Sequence, residues 1–348
     1  MRFYQQQHGF YCGVDLHARK MYVTVVDQAG TTREQRNLDA GPEPFLALVR
    51  PYREGLVVGC ECMFARYWLA DLCRAEAIEF VLGHALYMKA VHGGKTKNDR
   101  IDSEKIARLL RGGMFPQAYV YPAEMRAARD LLRRRSMLVR LRTEAIAHVE
   151  NTTSQYNLPA IDRKLRFAAN REGIAEQFVD PAARRMIESD LALAGHLDEQ
   201  IRSVELDLVH SARVDDPQAF QRLQTIPGVG KVLALILLYE IHDVARFADV
   251  RNFVSYCRLV RPKHESNGKA TSAAKKKKIG NAPLRWALGE AACLMIREVP
   301  QAKTLVARLE KKHGKPKALS ILAARIARAV YWMLKRKEAF DVNKCFRS

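Results

Sequence analysis

Four carboxylates stand out by type and placement. Asp15 closes a β-rich run, Gly9-Phe10-Tyr11-Cys12-Gly13-Val14-Asp15, and Glu61 closes a continuously apolar one, Gly55-Leu56-Val57-Val58-Gly59-Cys60-Glu61. Asp99 and Asp102 are three apart in Asp99-Arg100-Ile101-Asp102-Ser103-Glu104-Lys105-Ile106-Ala107, which reads as a helix. Residues i and i+3 of a helix share a face. An acidic first turn also suits the helix dipole, so this pair alone carries little weight. Two strand-end acids plus a helical acidic pair in one α/β unit carry more, because sites gather at sheet ends in such folds. Acids a few Å apart cannot all stay ionised without cations. Hard oxygen donors favour magnesium or manganese, and two such ions stabilise the attacking and leaving oxygens of an in-line displacement at phosphorus. The expectation is a Mg2+ site, with Mn2+ as the alternative, built from Asp15, Glu61, Asp99 and Asp102. Glu104 lies off the shared face and is left out.

A second constellation lies toward the C-terminus. Ile226-Pro227-Gly228-Val229-Gly230-Lys231, between helical stretches, resembles a helix-hairpin-helix turn. Its glycines would present backbone N–H groups to a DNA phosphate; an ordinary tight interhelical turn is the alternative. Further on, Pro262-Lys263-His264-Glu265-Ser266-Asn267-Gly268-Lys269-Ala270-Thr271-Ser272 leads into Lys275-Lys276-Lys277-Lys278 and Gly280-Asn281-Ala282-Pro283-Leu284-Arg285. A hydroxyl among lysines and glycines has what attack on a phosphate requires, although a loop serine is far more often a solvated turn former. Ser266 is the candidate nucleophile and Ser272 the alternative. Gly228, Gly230, Lys231, Lys269, Lys275, Lys276, Lys277, Lys278 and Arg285 are candidate nucleic-acid contacts.

The elements that position these residues follow from periodicity. Runs ending at Asp15 and Asp27 read as strands joined to a third near Thr31 to Leu38. A short helix from Pro44 to Tyr52 comes next, then the strand ending at Glu61, a helix around Tyr67 to Cys73, and the strand Phe80-Val81-Leu82-Gly83. Strands alternating with helices indicate an α/β sheet. From Ala123 to Asn157 and again from Ala182 to Ser211 the pattern turns helical, and these two stretches are suited to pairing antiparallel as a coiled-coil spacer or oligomerisation arm. From about Pro217 the remainder is helical apart from the loop at 262–280. The division expected is 1–122, an α/β metal domain; 123–215, a helical coiled-coil linker; and 216–348, a helical DNA-binding domain.

Charge is distributed unevenly. Of the net +20, residues 251–348 hold 24 Lys+Arg against 6 Asp+Glu, leaving the first 250 residues close to neutral. A basic surface so concentrated suits a polyanion, since each neutralised phosphate releases counterions. Seven cysteines without a C-x-x-C pair argue for reduced, mostly buried thiols and against a structural zinc. No apolar run is long enough for a membrane span and no secretory leader is recognisable, so a cytoplasmic protein without membrane contact is expected.

Taken in order, Gly13-Val14-Asp15, Glu61, Lys97-Asn98-Asp99-Arg100-Ile101-Asp102-Ser103-Glu104-Lys105-Ile106-Ala107, Ile226-Pro227-Gly228-Val229-Gly230, Ser266-Asn267-Gly268-Lys269 and Lys278-Ile279-Gly280-Asn281-Ala282-Pro283-Leu284-Arg285 resemble the DEDD transposases of bacterial insertion sequences, a group that includes the recombinases guided by a bridge RNA. The resemblance spans nearly the whole chain. It implies a RuvC-like RNase H fold at the N-terminus, a coiled-coil linker and a helical C-terminal transposase domain. It also implies magnesium on the four acids, attack by Ser266 with a covalent phosphoserine linkage, and a tetramer formed from dimers. DNA, as donor and target, and a noncoding guide RNA would be the partners. Two positions depart from the family pattern: Asn267 separates Ser266 from Gly268, and Met63-Phe64-Ala65 follow where a glycine is usual after the acid. Beside the serine recombinase stand a metal-dependent nuclease or junction resolvase that uses water, and a nucleic-acid-binding protein without chemistry.

Overall fold

The computed structural model describes residues 2–62, 66–91, 98–260, 265–266, 269–270 and 279–347. The described chain divides into two compact units, Met1–Ala123 and Glu124–Ser348.

In the first unit, β1 (Phe3–Tyr4) precedes a meander of β2 (Phe10–Leu16), β3 (Lys20–Asp27) and β4 (Thr32–Asp39). Then come α1 (Pro42–Val49), β5 (Leu56–Glu61), α2 (Arg66–Ala75), β6 (Glu79–Gly83), α3 (Ala85–Val91), α4 (Asp99–Arg111) and β7 (Phe115–Pro116). The main sheet has the order β4-β3-β2-β5-β6. The meander is antiparallel, whereas β5 lies parallel to both β2 and β6. This is a mixed open sheet flanked by helices, of RNase H-like type, as the sequence led one to expect. Separately, β1 pairs antiparallel with β7.

The alternation along β2 and β5 assigns each face of the sheet. Cys12, Val14 and Leu16, with Leu56, Val58 and Cys60, point to one side and are covered by Phe45 and Val49 of α1 and by Leu69 and Cys73 of α2. On the other side Tyr11 and Val57 meet Ile106, Ala107 and Leu110 of α4. Because β5 is paired on both edges and covered on both faces, it reads as a continuous apolar run and not as an alternating one.

Helix α4 lies close against β2 because of two glycines. Gly13 and Gly59 are register partners on the adjacent parallel strands. A Cβ on Gly13 would sit 2.0 Å from the Ser103 carbonyl oxygen and 2.5 Å from the Ala107 nitrogen; one on Gly59 would sit 2.5 Å from a Leu110 methyl carbon. The buried Ser103 Oγ also hydrogen-bonds the buried Thr24 Oγ1 of β3 at 2.7 Å, which fixes the helix along its axis.

The second unit is helical: α5 (Ala123–Gln155), α6 (Pro181–Asp215), α7 (Pro217–Gln224), α8 (Lys231–Ile241) and α9 (Val250–Tyr256). A two-residue pair, β8 (Glu265–Ser266) and β9 (Lys269–Ala270), precedes α10 (Ala282–Glu298), α11 (Pro300–His313), α12 (Lys315–Arg336) and α13 (Val342–Phe346). α5 and α6 run antiparallel, as the ion pairs Arg135–Glu205, Arg142–Asp198 and His148–Asp190 require. Leu138, Leu197 and Ile201 pack between them. α8 is apolar on all sides and is buried by α7, α10 and the surrounding helices. Among the described residues, no helix is long and apolar enough to cross a membrane. All seven cysteines are free; Cys12, Cys60, Cys73 and Cys257 are buried and Cys293 is exposed.

Candidate metal centre

The two glycines that admit α4 also place the acids. Asp15 and Glu61 follow Gly13 and Gly59 by two residues, so they project from the same face of the sheet at the C-terminal ends of adjacent parallel strands. That face, at that level, meets the start of α4. Asn98 caps the helix by accepting from the Arg100 amide at 2.9 Å, and Asp99 and Asp102 stand in its first turn. The four carboxylates foreseen from the sequence thus belong to one end of one layer.

Their convergence is visible in the electrostatics of Asp15, whose side chain is 14% exposed. Burial pushes its carboxyl above the ordinary carboxylate value; the charges of Asp99, Asp102 and Glu61 push the same way, and His17 opposes them. Asp102 has a cation of its own, with Lys105 Nζ 3.2 Å from Oδ1. Asp99 is more open than Asp15 or Asp102, with a side chain 58% exposed.

His17 was not foreseen. Its Nε2 lies 3.5 Å from Asp15 Oδ2 and 3.6 Å from Asp99 Oδ1. Asp15, His17 and Asp99 offer one ligand atom each, all within 4.8 Å of one another. The signal was in the sequence as Asp15-Leu16-His17: positions i and i+2 at a strand end share a side, and the His17 amide bonds the Lys20 carbonyl to hold the turn. The donor set fits a divalent cation. Among the described residues, carboxylate oxygens crowd together with an imidazole and a lysine beside them, and a cation would relieve the repulsion that helps to raise Asp15. The imidazole is a softer donor than the acids and brings manganese within the set's range beside magnesium.

The second unit places its candidates as follows. Gly228 takes φ +81°, and a Cβ there would sit 2.6 Å from Leu294 Cβ, so the turn between α7 and α8 packs against α10. The Gly228 amide donates to Glu298 Oε2 at 3.1 Å. Gly230 is the residue before α8, with nothing within 4 Å of a Cβ, and Lys231 opens the helix. Arg285 is exposed in the first turn of α10. Ser266 and Lys269 are register partners in the β8–β9 pair; nothing further is described of their side chains. Lys97, Met63 to Ala65, Asn267, Gly268, Ser272 and Lys275, Lys276, Lys277 and Lys278 lie outside the described residues.

Two transposase families match the chain in the order of these units. A family model of DEDD-type IS110 proteins, described as Transposase, matches residues 12–158, which contain the whole acid set. A second, Transposase IS116/IS110/IS902 family, matches residues 220–307. The chain belongs to the IS110/IS1111 family of insertion-sequence transposases. The transposase for insertion sequence element IS1111A of Coxiella burnetii is 25% identical to it over 336 residues, 94% of this chain and 87% of the relative. The protein y4qE of Sinorhizobium fredii, which carries a transposase name, is 24% identical over 339 residues, 94% of this chain and 82% of its own. The transposase for element IS1328 of Yersinia enterocolitica is 26% identical over 176 residues, 50% of this chain and 52% of its own.

One expectation is overturned. The resemblance had implied attack by Ser266 and a phosphoserine linkage. The ligand-bearing groups are instead assembled in the first unit, as Asp15, His17 and Asp99 with Glu61 and Asp102 beside them. The family matched there is the DEDD type. A cluster of that composition activates an oxygen nucleophile on a cation. It points to a metal-dependent nuclease mechanism and away from a covalent serine intermediate. As a member of this family the chain is an insertion-sequence transposase with DNA as its substrate.

Proposed function

We propose that this transposase cuts DNA by metal-dependent hydrolysis, with water as the nucleophile. The observation that carries the reading is the approach of Asp15, His17 and Asp99 to within 4.8 Å at the sheet end where Glu61 and Asp102 also act on Asp15. Asp15, Glu61, Asp99 and Asp102, joined by His17, would hold Mg2+ or Mn2+. When bound, such an ion polarises a phosphoryl oxygen and lowers the pKa of the attacking water. The chain's own part is positioning. Asp15 is the buried anchor on the sheet, α4 brings Asp99 and Asp102 to it, and Lys105 holds Asp102 from the side. In the overall reaction, the water oxygen bonds to phosphorus, one bridging P–O bond breaks, and the released strand end takes a proton.

Around this site we read a RuvC-like domain over 1–122, a coiled-coil linker over 123–215 and a DNA-binding domain over 216–348. In the last, Gly230, Lys231, Lys269, the lysines 275–278 and Arg285 contact nucleic acid. The helix-hairpin-helix resemblance of 226–230 and the concentration of charge after residue 250 support that part. A noncoding RNA partner and assembly of dimers into a tetramer follow from the resemblance.

The test is cleavage of element-end DNA in water enriched in heavy oxygen. The proposal expects one labelled oxygen in the terminal phosphate per strand cut, cleavage that requires Mg2+ or Mn2+, and no protein–DNA adduct. Metal-dependent cleavage without label uptake overturns it.

A further inference from the structure

The helical hairpin of α5 and α6 carries a cavity that the metal chemistry does not use. Its volume is about 440 Å³, and it opens between the two helices and the loop that joins them. Arg135, Arg142, Arg166 and Arg202 line it, against Asp198 and Glu205. This is a local excess of positive charge, because residues 124–250 as a whole hold 18 Lys+Arg against 19 Asp+Glu.

The lining is held in place from behind. Asp198 accepts from Arg142 and from the buried Arg171, both at 2.6 Å, and Arg135 pairs with Glu205 at 2.7 Å. Arg171 in turn donates to the Leu165 carbonyl at 2.8 Å, which clamps the connecting loop to the hairpin with Leu165 buried. Two residues on, Phe167 is left 52% exposed at the cavity, with the Arg166 guanidinium 4.6 Å from its ring centre. Arg166 and Arg202 form no ion pair among the described residues. The Nε of Arg142 is buried without a hydrogen-bond partner. The site therefore offers two guanidinium groups without carboxylate partners and a half-exposed aromatic ring, all on a braced frame.

We infer that this cavity binds one step of an unpaired nucleic-acid strand, with a phosphodiester against Arg166 and Arg202 and a base on the Phe167 ring. Guanidinium groups suit phosphate oxygens. Aromatic faces take unpaired bases irrespective of sequence. The volume lies within the about 300–1,000 Å³ usual for ligand sites. An acidic peptide would satisfy the arginines but leave the ring uncovered. The hairpin is then a strand-holding arm as well as a spacer. This inference rests on the cavity and does not depend on how the metal centre cuts.

The experiment uses the full chain without divalent cation, so that cleavage does not interfere. Anisotropy of a short labelled single strand, as DNA and as RNA, and of the matching DNA duplex is followed across a salt series. The double variant Arg166→Ala, Arg202→Ala should lower the log–log salt slope for single strands by about 1.4, two contacts at about 0.7 each. Phe167→Ala should weaken single-strand binding about tenfold and duplex binding much less. Whether the DNA or the RNA arm responds more identifies the natural strand. Neither arginine holds an ion pair and Phe167 is half exposed, so the variants should melt with wild-type, a control read by circular dichroism. An unchanged slope in the double variant, or single-strand affinity untouched by Phe167→Ala, overturns the inference. Because the binding is read without divalent cation and involves no cleavage, a failure here is distinct from a failure of the metal-dependent reading.

Discussion

Asp15 is the residue on which the site turns, because its side chain is largely buried and every other candidate ligand acts on its charge. Asp15→Asn keeps the shape and removes the charge. Cleavage should be lost at every Mg2+ and Mn2+ concentration while the melting temperature is kept or raised, since a buried carboxylate amid like charges is relieved. Near-wild-type turnover in this variant would remove the carboxylates from the chemistry. His17→Ala tests the added ligand: half-maximal cleavage should require more cation, with a larger rise for Mn2+ than for Mg2+, in parallel metal titrations. An equal response to both ions would make His17 a charge partner of Asp15 and Asp99 and not a ligand. The acids were legible in the sequence because each sits at a readable boundary, two at strand ends and two in a helix start. The histidine was not, because its partner Asp99 is brought to it only by the docking of α4, a contact 82 positions apart that no local pattern encodes.

At the scale of elements, the site exists because α4 can lie close to the sheet. Gly13→Ala puts a methyl group 2.0 Å from backbone of that helix, which no side-chain rotation can relieve. The helix must move, and the protein should lose about 1–3 kcal/mol or more in urea unfolding, together with metal affinity, as Asp99 and Asp102 move away from Asp15. Gly195→Ala is the contrast. It lies inside α6 with nothing within 4 Å of a Cβ and should stabilise by about 0.5–1 kcal/mol. If both substitutions behave alike, the close approach of α4 is not what Gly13 provides. The strands of the main sheet and the two long helices were readable from their periodicity to within a few residues. The β1–β7 pair was not, since two residues are too few to show alternation and the register joins Phe3 to Pro116 across the whole unit. Gly13 and Gly59 could be read as odd residues in buried strands; what they make room for could not.

For the whole molecule, charge and stability are organised separately in the two units. Residues 1–123 hold 16 Lys+Arg against 13 Asp+Glu, and residues 124–348 hold 42 against 25. Inside the more basic unit one carboxylate is entirely shut off from water. Glu240, on the apolar α8, accepts from Arg129 at 3.1 Å, from Arg133 at 2.8 Å and from Asn281 at 2.7 Å. Asn281 also caps α10 through the Leu284 amide, so a single charge joins α5, α8 and the start of α10. Burial alone would raise the Glu240 carboxyl, but the Arg133 hydrogen bond, the charges of Arg129 and Arg133 and the Asn281 hydrogen bond outweigh it and hold it below its ordinary value. Asp198 is held low in the same way, with Arg142 and Arg171 outweighing its burial. A carboxyl lower in the folded than in the unfolded chain binds fewer protons when folded. Its stabilising contribution is complete above the unfolded value, about pH 4 to 4.5, and disappears as pH falls through the folded one. The share of the melting temperature, followed by helix content at 222 nm, that these two acids supply should therefore hold from neutrality down to that point and fall below it, on top of a decline that starts below about pH 6.5 because burial lowers the His242 imidazole. Glu240→Gln removes a charge that the buried Arg129 is paired with and should cost about 3–5 kcal/mol at neutral pH. Its melting temperature should decline less steeply in acid than that of the wild type, so that the two curves draw together, with the remaining slope due to Asp198 and the other depressed acids. Parallel curves over the whole acid range would mean that the Glu240 charge contributes nothing to holding these helices together.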